Sequence, residues 1–205
     1  SKILSMNKLV IFLLFSLLTL SLFAQDIQLP TPNKKGGKPL MQALSERKSA
    51  REFQEKELPV EVLSNLLWAA NGFNREDKRT APTANNKQEL ELYLVMKSGI
   101  YFYNAREHRL ALVKKGDYRK SAGTQTYVAN APVNILFVSD SGKASGKNYA
   151  YTDCGFVSQN IYLFCASEGL ATVVRGSYDK KVLEELLQLP ANQEVLLTQT
   201  VGYPK

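Results

Sequence analysis

The chain of 205 residues contains one histidine and two cysteines, and this scarcity excludes whole classes of chemistry. With His108 as the single histidine, a structural metal centre of the His/Cys type, which takes four such ligands, cannot be assembled here. His108 lies in a polar, turn-like stretch, which argues against a histidine-dependent nucleophilic triad. Cys154 and Cys165 fall in one predicted helix, roughly 16 Å apart, whereas a disulfide needs Cα atoms within about 7 Å. We therefore expect two buried, unpaired thiols.

A concentrated basic surface is also lacking. Lysine and arginine number 26 against 19 acidic residues, which gives a formal net charge of +7. The cations are scattered, and no basic stripe is interleaved with aromatic residues, so nucleic acid is not an expected partner. A solvated surface explains the mild excess, and a small anionic ligand would also suit it.

Long apolar runs are confined to the N-terminal end. Asn7-Lys8 precedes an apolar run from Leu9 to Phe23 and then Ala24, which is the pattern of a secretory signal peptide. A spanning helix needs roughly 20 apolar residues, so this run is short, and an uncleaved membrane tether is the alternative. We predict that 1–24 is the signal peptide with upstream residues 1–5, that 25–39 is a flexible linker, and that 40–205 is one domain. The protein is expected to be exported to the periplasm.

Hydrophobic periodicity predicts an α+β domain, with one sheet and helices around it. Pro39 and Pro59 are well placed to open two helices, and the alternation over 90–96 predicts a strand. Further strands are predicted at 100–103, 110–113, 133–138, 170–174 and 194–201, and further helices at about 117–130, 149–168 and 178–188. The helix at 149–168 is apolar on nearly every side, so we expect it to be buried centrally or at a subunit interface.

Three segments carry residues that could hold an anion and a flat ring. The first combines cations with a hydroxyl, which suits phosphate; the second is a loop of small residues and amides; the third joins a strand to a helix, a common phosphate position. Their members are Arg47, Lys48, Ser49 and Arg51; Pro82, Thr83, Ala84, Asn86 and Gln88; and Val173, Val174, Arg175 and Gly176. Taken singly, the first fits a solvated helix end equally well, and the other two are more typical of ordinary loops.

Together, in order and spacing, the segments resemble the nitroreductase-like family of FMN-dependent oxidoreductases. The resemblance covers residues 40–205, and 99–103 with 116–119 is most similar to the branch that includes thiazoline/oxazoline dehydrogenases. Its motifs are Arg-x-Ser-x-Arg at 47–51, Pro-Thr-Ala-x-Asn-x-Gln at 82–88, Asp-Cys-Gly-Phe-Val-Ser-Gln-Asn at 153–160, Gly-Leu at 169–170 and Val-Gly-Tyr-Pro at 201–204. One departure is Glu89-Leu90, which stands where the family often has proline and an aromatic residue.

The resemblance implies an FMN enzyme with a mostly antiparallel sheet wrapped by helices, and a homodimer with the long helix at its interface. The first segment would hold the ribityl phosphate or the flavin edge, and the loop at 82–88 would approach the flavin from the partner subunit. Val173 to Gly176 would lie along the other flavin edge, and Gln125 would reach the pyrimidine side. No catalytic side chain is implied, because the flavin itself takes and gives the hydride to a small-molecule substrate.

Two alternatives belong to other classes. One is an exported flavin carrier, or a non-catalytic flavin protein, on the same fold. The other is a thiol-based redox protein, which buried cysteines make unfavourable. Cytosolic members of the family draw electrons from NAD(P)H, so an exported enzyme would need another donor, such as a membrane redox partner or a reduced small molecule.

Overall fold

A computed structural model of the protein describes residues 25–205, in which seven strands form one sheet. The strands are β1 (Ile27–Gln28), β2 (Leu90–Met96), β3 (Gly99–Asn104), β4 (Arg109–Lys115), β5 (Val133–Asp140), β6 (Ala171–Arg175) and β7 (Gln193–Gly202). Their order across the sheet is β1-β4-β3-β2-β5-β7-β6, and every neighbouring pair is antiparallel. The predicted α+β class with an antiparallel sheet is confirmed, whereas the predicted signal peptide lies outside the described residues.

Four α-helices surround the sheet in this part of the chain: α1 (Leu40–Glu46), α2 (Val60–Asn71), α3 (Lys147–Glu168) and α4 (Lys180–Leu187). Pro39 and Pro59 directly precede α1 and α2, as predicted, because the fixed φ of proline suits a helix start. Gly169 ends α3 with a φ of +69°, a left-handed conformation that glycine adopts without a Cβ penalty. Within residues 25–205, no helix is both long enough and apolar enough to cross a membrane.

The hydrophobic core lies on both faces of the sheet. Leu92 and Phe137 belong to the core on the side of α2 and α3, while Val95 and Val138 belong to the core that α4 completes. All of β5 is buried, which explains why its sequence reads as a nearly continuous apolar run. The sheet is therefore the middle layer of three.

The long helix α3 buries only one side within a single chain. Cys154, Val157 and Ile161 are fully buried in the core, whereas Phe156 is 42% exposed and Tyr149 is 55% exposed. The sequence makes this helix apolar on nearly every side, but one copy of the chain buries only one of those sides.

The segment 25–39 packs on the domain, so the prediction of a flexible linker was wrong. Ile27 pairs with Leu110 of β4, and Leu29 is only 4% exposed. The Ser64 hydroxyl of α2 donates a hydrogen bond to the Pro30 carbonyl over 2.6 Å. These long-range contacts outweigh the flexible composition of the segment.

The helix predicted at about 117–130 was also wrong. Two 3₁₀ turns take its place, Arg119–Ala122 and Thr126–Ala129, with Gly123 extended between them. A Cβ at Gly123 would lie 2.0 Å from a guanidinium nitrogen of Arg175, so the break accommodates a buried arginine. Tertiary packing decides the local structure here.

Candidate functional site

The basic segment 47–51 runs from the end of α1 past the edge strand β6. The Ala50 amide donates to the Thr172 carbonyl over 3.0 Å, which holds the segment against β6. The Arg47 guanidinium lies over the ring of Tyr162, 5.2 Å from its centre. The Ser49 hydroxyl is 2.8 Å from the Tyr162 hydroxyl. The segment is therefore anchored at both its backbone and its side chains.

Tyr162 of α3 joins this segment to the end of β6. Its hydroxyl accepts a hydrogen bond from the Val174 amide over 3.1 Å while it contacts Ser49. Two of the predicted segments thus meet at one phenol, and the sequence reasoning missed it. The signal was present, because a tyrosine on the buried side of a helix must find a partner for its hydroxyl.

A cleft of about 400 Å³ opens beside this junction. Its walls come from the basic segment, the second half of α3, the α3–β6 turn and the C-terminal end. Among the residues that line it are Lys48, Ala50, Tyr162, Gly169, Thr172 and Pro204. Lys48 and Arg51 are exposed, so their cationic groups remain accessible to a ligand. The cleft has the size of an ordinary small-molecule site.

The loop 82–88 is a rigidly bonded turn rather than an open polar loop. Asn86 and Gln88 have φ values of +54° and +51°, a left-handed conformation that is uncommon for residues with a Cβ. The Gln88 amide donates to the Thr83 hydroxyl over 3.0 Å, and the Ala84 amide donates to Asp153 of α3 over 2.9 Å. Pro82 is exposed at the start of the loop. Backbone strain held by this many contacts is typical of ligand-binding loops.

Within one chain, the loop and the basic segment meet α3 at different places. The loop contacts α3 at Asp153 and the basic segment contacts it at Tyr162, nine residues further along. At 1.5 Å per residue the two contact points are about 13 Å apart along the helix. The structure therefore brings Arg47, Ser49 and Val174 together, but it does not add the loop to them.

Arg175 departs from its predicted role. Its guanidinium is buried and donates to the Asn134 side chain over 3.1 Å, to the Thr200 hydroxyl over 2.8 Å and to the Ala122 carbonyl over 3.0 Å. Burial lowers the pKa of this guanidinium to about 10. The side chain is used inside the protein, so only the backbone of Arg175, with the exposed Gly176, can face a ligand.

Gln125 lies next to the end of β6 and offers an unused acceptor. The neighbouring Thr124 amide donates to the Ser177 carbonyl over 3.3 Å, which places Gln125 close to the 174–176 segment. Its side-chain oxygen is buried and has no hydrogen-bond partner. A buried acceptor without a partner is costly, and a ligand that brings an N–H group would satisfy it.

Two buried carboxyl groups stand behind the loop. Glu89 and Asp153 are each 1% exposed, and neither side-chain oxygen of Glu89 has a hydrogen-bond partner. Burial, together with the nearby Asp153, raises the pKa of Glu89 to about 7. Glu89 is also the position at which this chain departs from the family pattern.

The cysteines and the histidine carry no reactive site. Burial raises the thiol pKa of both Cys154 and Cys165, and neither forms a disulfide. His108 lies 2.7 Å from the Ser64 hydroxyl and 3.0 Å from the Tyr103 hydroxyl, which superficially resembles a triad. Ser64 is fully buried, however, and its proton is donated to Pro30. These three side chains bind the N-terminal segment to the domain.

Comparison with known proteins identifies the family. The family model described as "Nitroreductase family" matches residues 44–203. A crystal structure of a candidate nitroreductase from Ralstonia eutropha JMP134 is 35% identical, with a TM-score of 0.84 over 91% of this chain and 92% of that one. A candidate nitroreductase of Methanocaldococcus jannaschii is 27% identical over 180 residues, which is 80% of this chain and 90% of the relative.

A more distant likeness concerns the fold alone. The Escherichia coli microcin synthetase complex McbBCD, solved with truncated pro-MccB17, contains a chain that is 15% identical with a TM-score of 0.67. The match covers 86% of this chain and 78% of that one. The predicted family is confirmed: the chain belongs to the nitroreductase family and is an oxidoreductase.

Proposed function

We propose that the protein is an FMN-dependent oxidoreductase that transfers hydride or electrons to or from a small organic substrate. The observation that carries this proposal is the junction at Tyr162, which holds the basic segment and the end of β6 at one cleft of about 400 Å³. Lys48 lines the cleft and would offer a cation to a phosphate. Gly176 is exposed beyond the end of β6 and would offer its backbone to a flat ring.

The chain's own residues would divide the binding of FMN between them. Arg47, Lys48, Ser49 and Arg51 would hold the ribityl phosphate by charge-assisted hydrogen bonds. The unpartnered Gln125 oxygen would accept the N–H of the pyrimidine edge. When bound, FMN supplies hydride and single-electron chemistry, which no side chain of this protein supplies. The role of the protein would be to orient the ring and to exclude water from it.

The proposed active form is a homodimer. The loop 82–88 does not reach the basic segment of its own chain, and in a dimer it would approach the cleft of the partner. Phe156 and Tyr149 of α3 are exposed apolar groups, and Met41 of α1 is 75% exposed. Large apolar side chains exposed together on a surface are typical of an association site.

Export is proposed on the sequence of residues 6–24, with a donor other than NAD(P)H. Outside the inner membrane the electrons would come from a membrane redox partner or a reduced small molecule. Steady-state assays with NADH and NADPH test whether the electron donor is something other than NAD(P)H. Brisk turnover would contradict the exported assignment and leave the flavin assignment intact.

Flavin binding is tested with the purified chain and two matched variants. Arg47→Ala with Arg51→Ala removes two cations of the basic segment beside the cleft, while Arg75→Ala with Lys181→Ala removes two exposed cations elsewhere. We expect the chain and the control to retain FMN, with its yellow absorption, and the first variant to lose it. Equal retention in both variants would refute the phosphate site.

The same sample separates an enzyme from a flavin carrier. The yellow colour should bleach under an anaerobic reductant and return when a small, flat, electron-poor acceptor is added. A flavin that is reduced but that no acceptor reoxidises would favour the carrier.

A further inference from the structure

A second cavity, of about 210 Å³, lies beside Gln88 of the loop 82–88. Its walls come from the end of α2, the segment 72–80, the start of β2, the end of β3 and the β3–β4 turn. Residues that line it include Asn71, Arg79, Glu91, Tyr103, Arg106 and Lys143. None of these residues lines the cleft at Tyr162.

Two arginines share this cavity without an acidic partner. Arg79 and Arg106 both lie over the ring of Phe73, with guanidinium carbons 4.5 Å and 3.7 Å from its centre. Arg79 donates to the Asn71 carbonyl over 2.8 Å, and Arg106 donates to the Glu76 backbone carbonyl. Among residues 25–205, no carboxylate forms an ion pair with either guanidinium.

Glu91, the acidic residue that lines the cavity, forms an ion pair with a lysine. Glu91 lies 3.8 Å from the Lys143 ammonium, which is also 3.7 Å from Asp140. Burial and the nearby charge of Arg106 lower the pKa of Arg79, and the nearby Tyr103 and Glu91 oppose this shift. Three cations, Arg79, Arg106 and Lys143, line the cavity with one carboxylate, that of Glu91, so the lining carries a net positive charge. Guanidinium groups bind oxyanions well, because they present their donors in a planar fork.

A third group in the cavity defines which oxyanion fits. Asn71 is 3% exposed, and its side-chain nitrogen donates to the Leu90 carbonyl over 3.4 Å. Its side-chain oxygen is buried and has no partner, so a well-matched ligand must bring a hydrogen-bond donor. Sulfate and carboxylates carry no proton at neutral pH, whereas inorganic phosphate retains one.

We propose that this cavity binds inorganic phosphate as hydrogen phosphate. The protonated oxygen donates to Asn71, and the anionic oxygens accept from Arg79 and Arg106. The Arg79 guanidinium also donates to the Gln88 side chain over 3.2 Å, so the occupant contacts the loop 82–88 through one residue. The site needs no flavin, and its test is independent of the proposed function.

Isothermal titration of the purified chain with phosphate and with sulfate, at equal ionic strength and neutral pH, tests the proposal. We expect one phosphate per chain in this cavity, bound about tenfold more tightly than sulfate, because sulfate leaves the Asn71 oxygen unpaired. Arg106→Gln should weaken phosphate binding by about tenfold or more. Arg106 is exposed, so this variant is expected to fold.

Two controls decide where any phosphate binds. Arg75→Gln changes an exposed arginine of the same segment that donates only to Asn74, and it should leave the affinity unchanged. Arg47→Ala with Arg51→Ala should also leave binding in this cavity unchanged. The proposal is overturned if no saturable binding is seen, if sulfate binds as tightly as phosphate, or if binding survives Arg106→Gln and is lost with the Arg47 and Arg51 changes.

Discussion

Glu89 provides the sharpest test of the structure, because its carboxyl group is buried without a hydrogen-bond partner. Replacing it with glutamine keeps the shape of the side chain and removes the charge. The amide can also donate to the neighbouring Asp153, which the carboxylate cannot do. We therefore expect Glu89→Gln to stabilise the protein wherever the native carboxyl would be ionised.

The size and sign of the effect follow from the pKa. The carboxyl of Glu89 titrates at about 7 in the folded protein, against an ordinary value of 4.5. A raised pKa means that the folded state binds the proton more tightly than the unfolded state does. Protonated Glu89 therefore contributes fully to stability below pH 4.5, and this contribution is lost as the pH rises through 7. A shift of this size corresponds to up to roughly 3 kcal/mol in the free energy of unfolding.

Urea denaturation of the wild-type chain and of Glu89→Gln, at pH 5 and at pH 8, measures this directly. From pH 5 to pH 8 the free energy of unfolding of the wild type should fall relative to that of the variant. At pH 8 the variant should be the more stable of the two. Glu55→Gln, at an exposed carboxylate, should change the free energy of unfolding by no more than about 0.5 kcal/mol. Identical pH profiles for wild type and Glu89→Gln would refute the buried position of this carboxyl.

Three further substitutions test other parts of the structure. Gly123→Ala places a Cβ 2.0 Å from the Arg175 guanidinium and should lower the free energy of unfolding by about 1–3 kcal/mol in urea; an unchanged value would contradict the packing. Tyr162→Phe removes the hydroxyl at the cleft and should weaken FMN binding about tenfold by fluorescence titration, with unchanged affinity arguing against the junction. Phe156→Glu should convert a dimer to monomers in sedimentation experiments; a persistent dimer would place the interface elsewhere.

Most of the fold follows from periodicity in the sequence. The alternation that predicted β2 and the helical spacing that predicted α2 both come from one buried face, which is a local property. The segment 25–39 could not be predicted in the same way. Its strand and its bond to Ser64 depend on partners that are distant in sequence, and its composition is that of a linker.

The candidate site was predictable only in part from the sequence. The motifs identified the Arg47–Ser49 segment, but they could not show that Tyr162 joins it to β6. The alternation of β6 places Val173 and Arg175 on the same face, and Val173 is a core residue. This placement explains the inward guanidinium, but it depends on the burial of Val173, which the structure shows and the sequence does not.

The most direct test of the proposed function is the titration of the flavin-free chain with FMN, followed by fluorescence and visible absorption. The account predicts saturation at about one FMN per chain, and loss of that binding when Arg47 and Arg51 are both changed to alanine. A folded chain that remains colourless and takes up no FMN would contradict it.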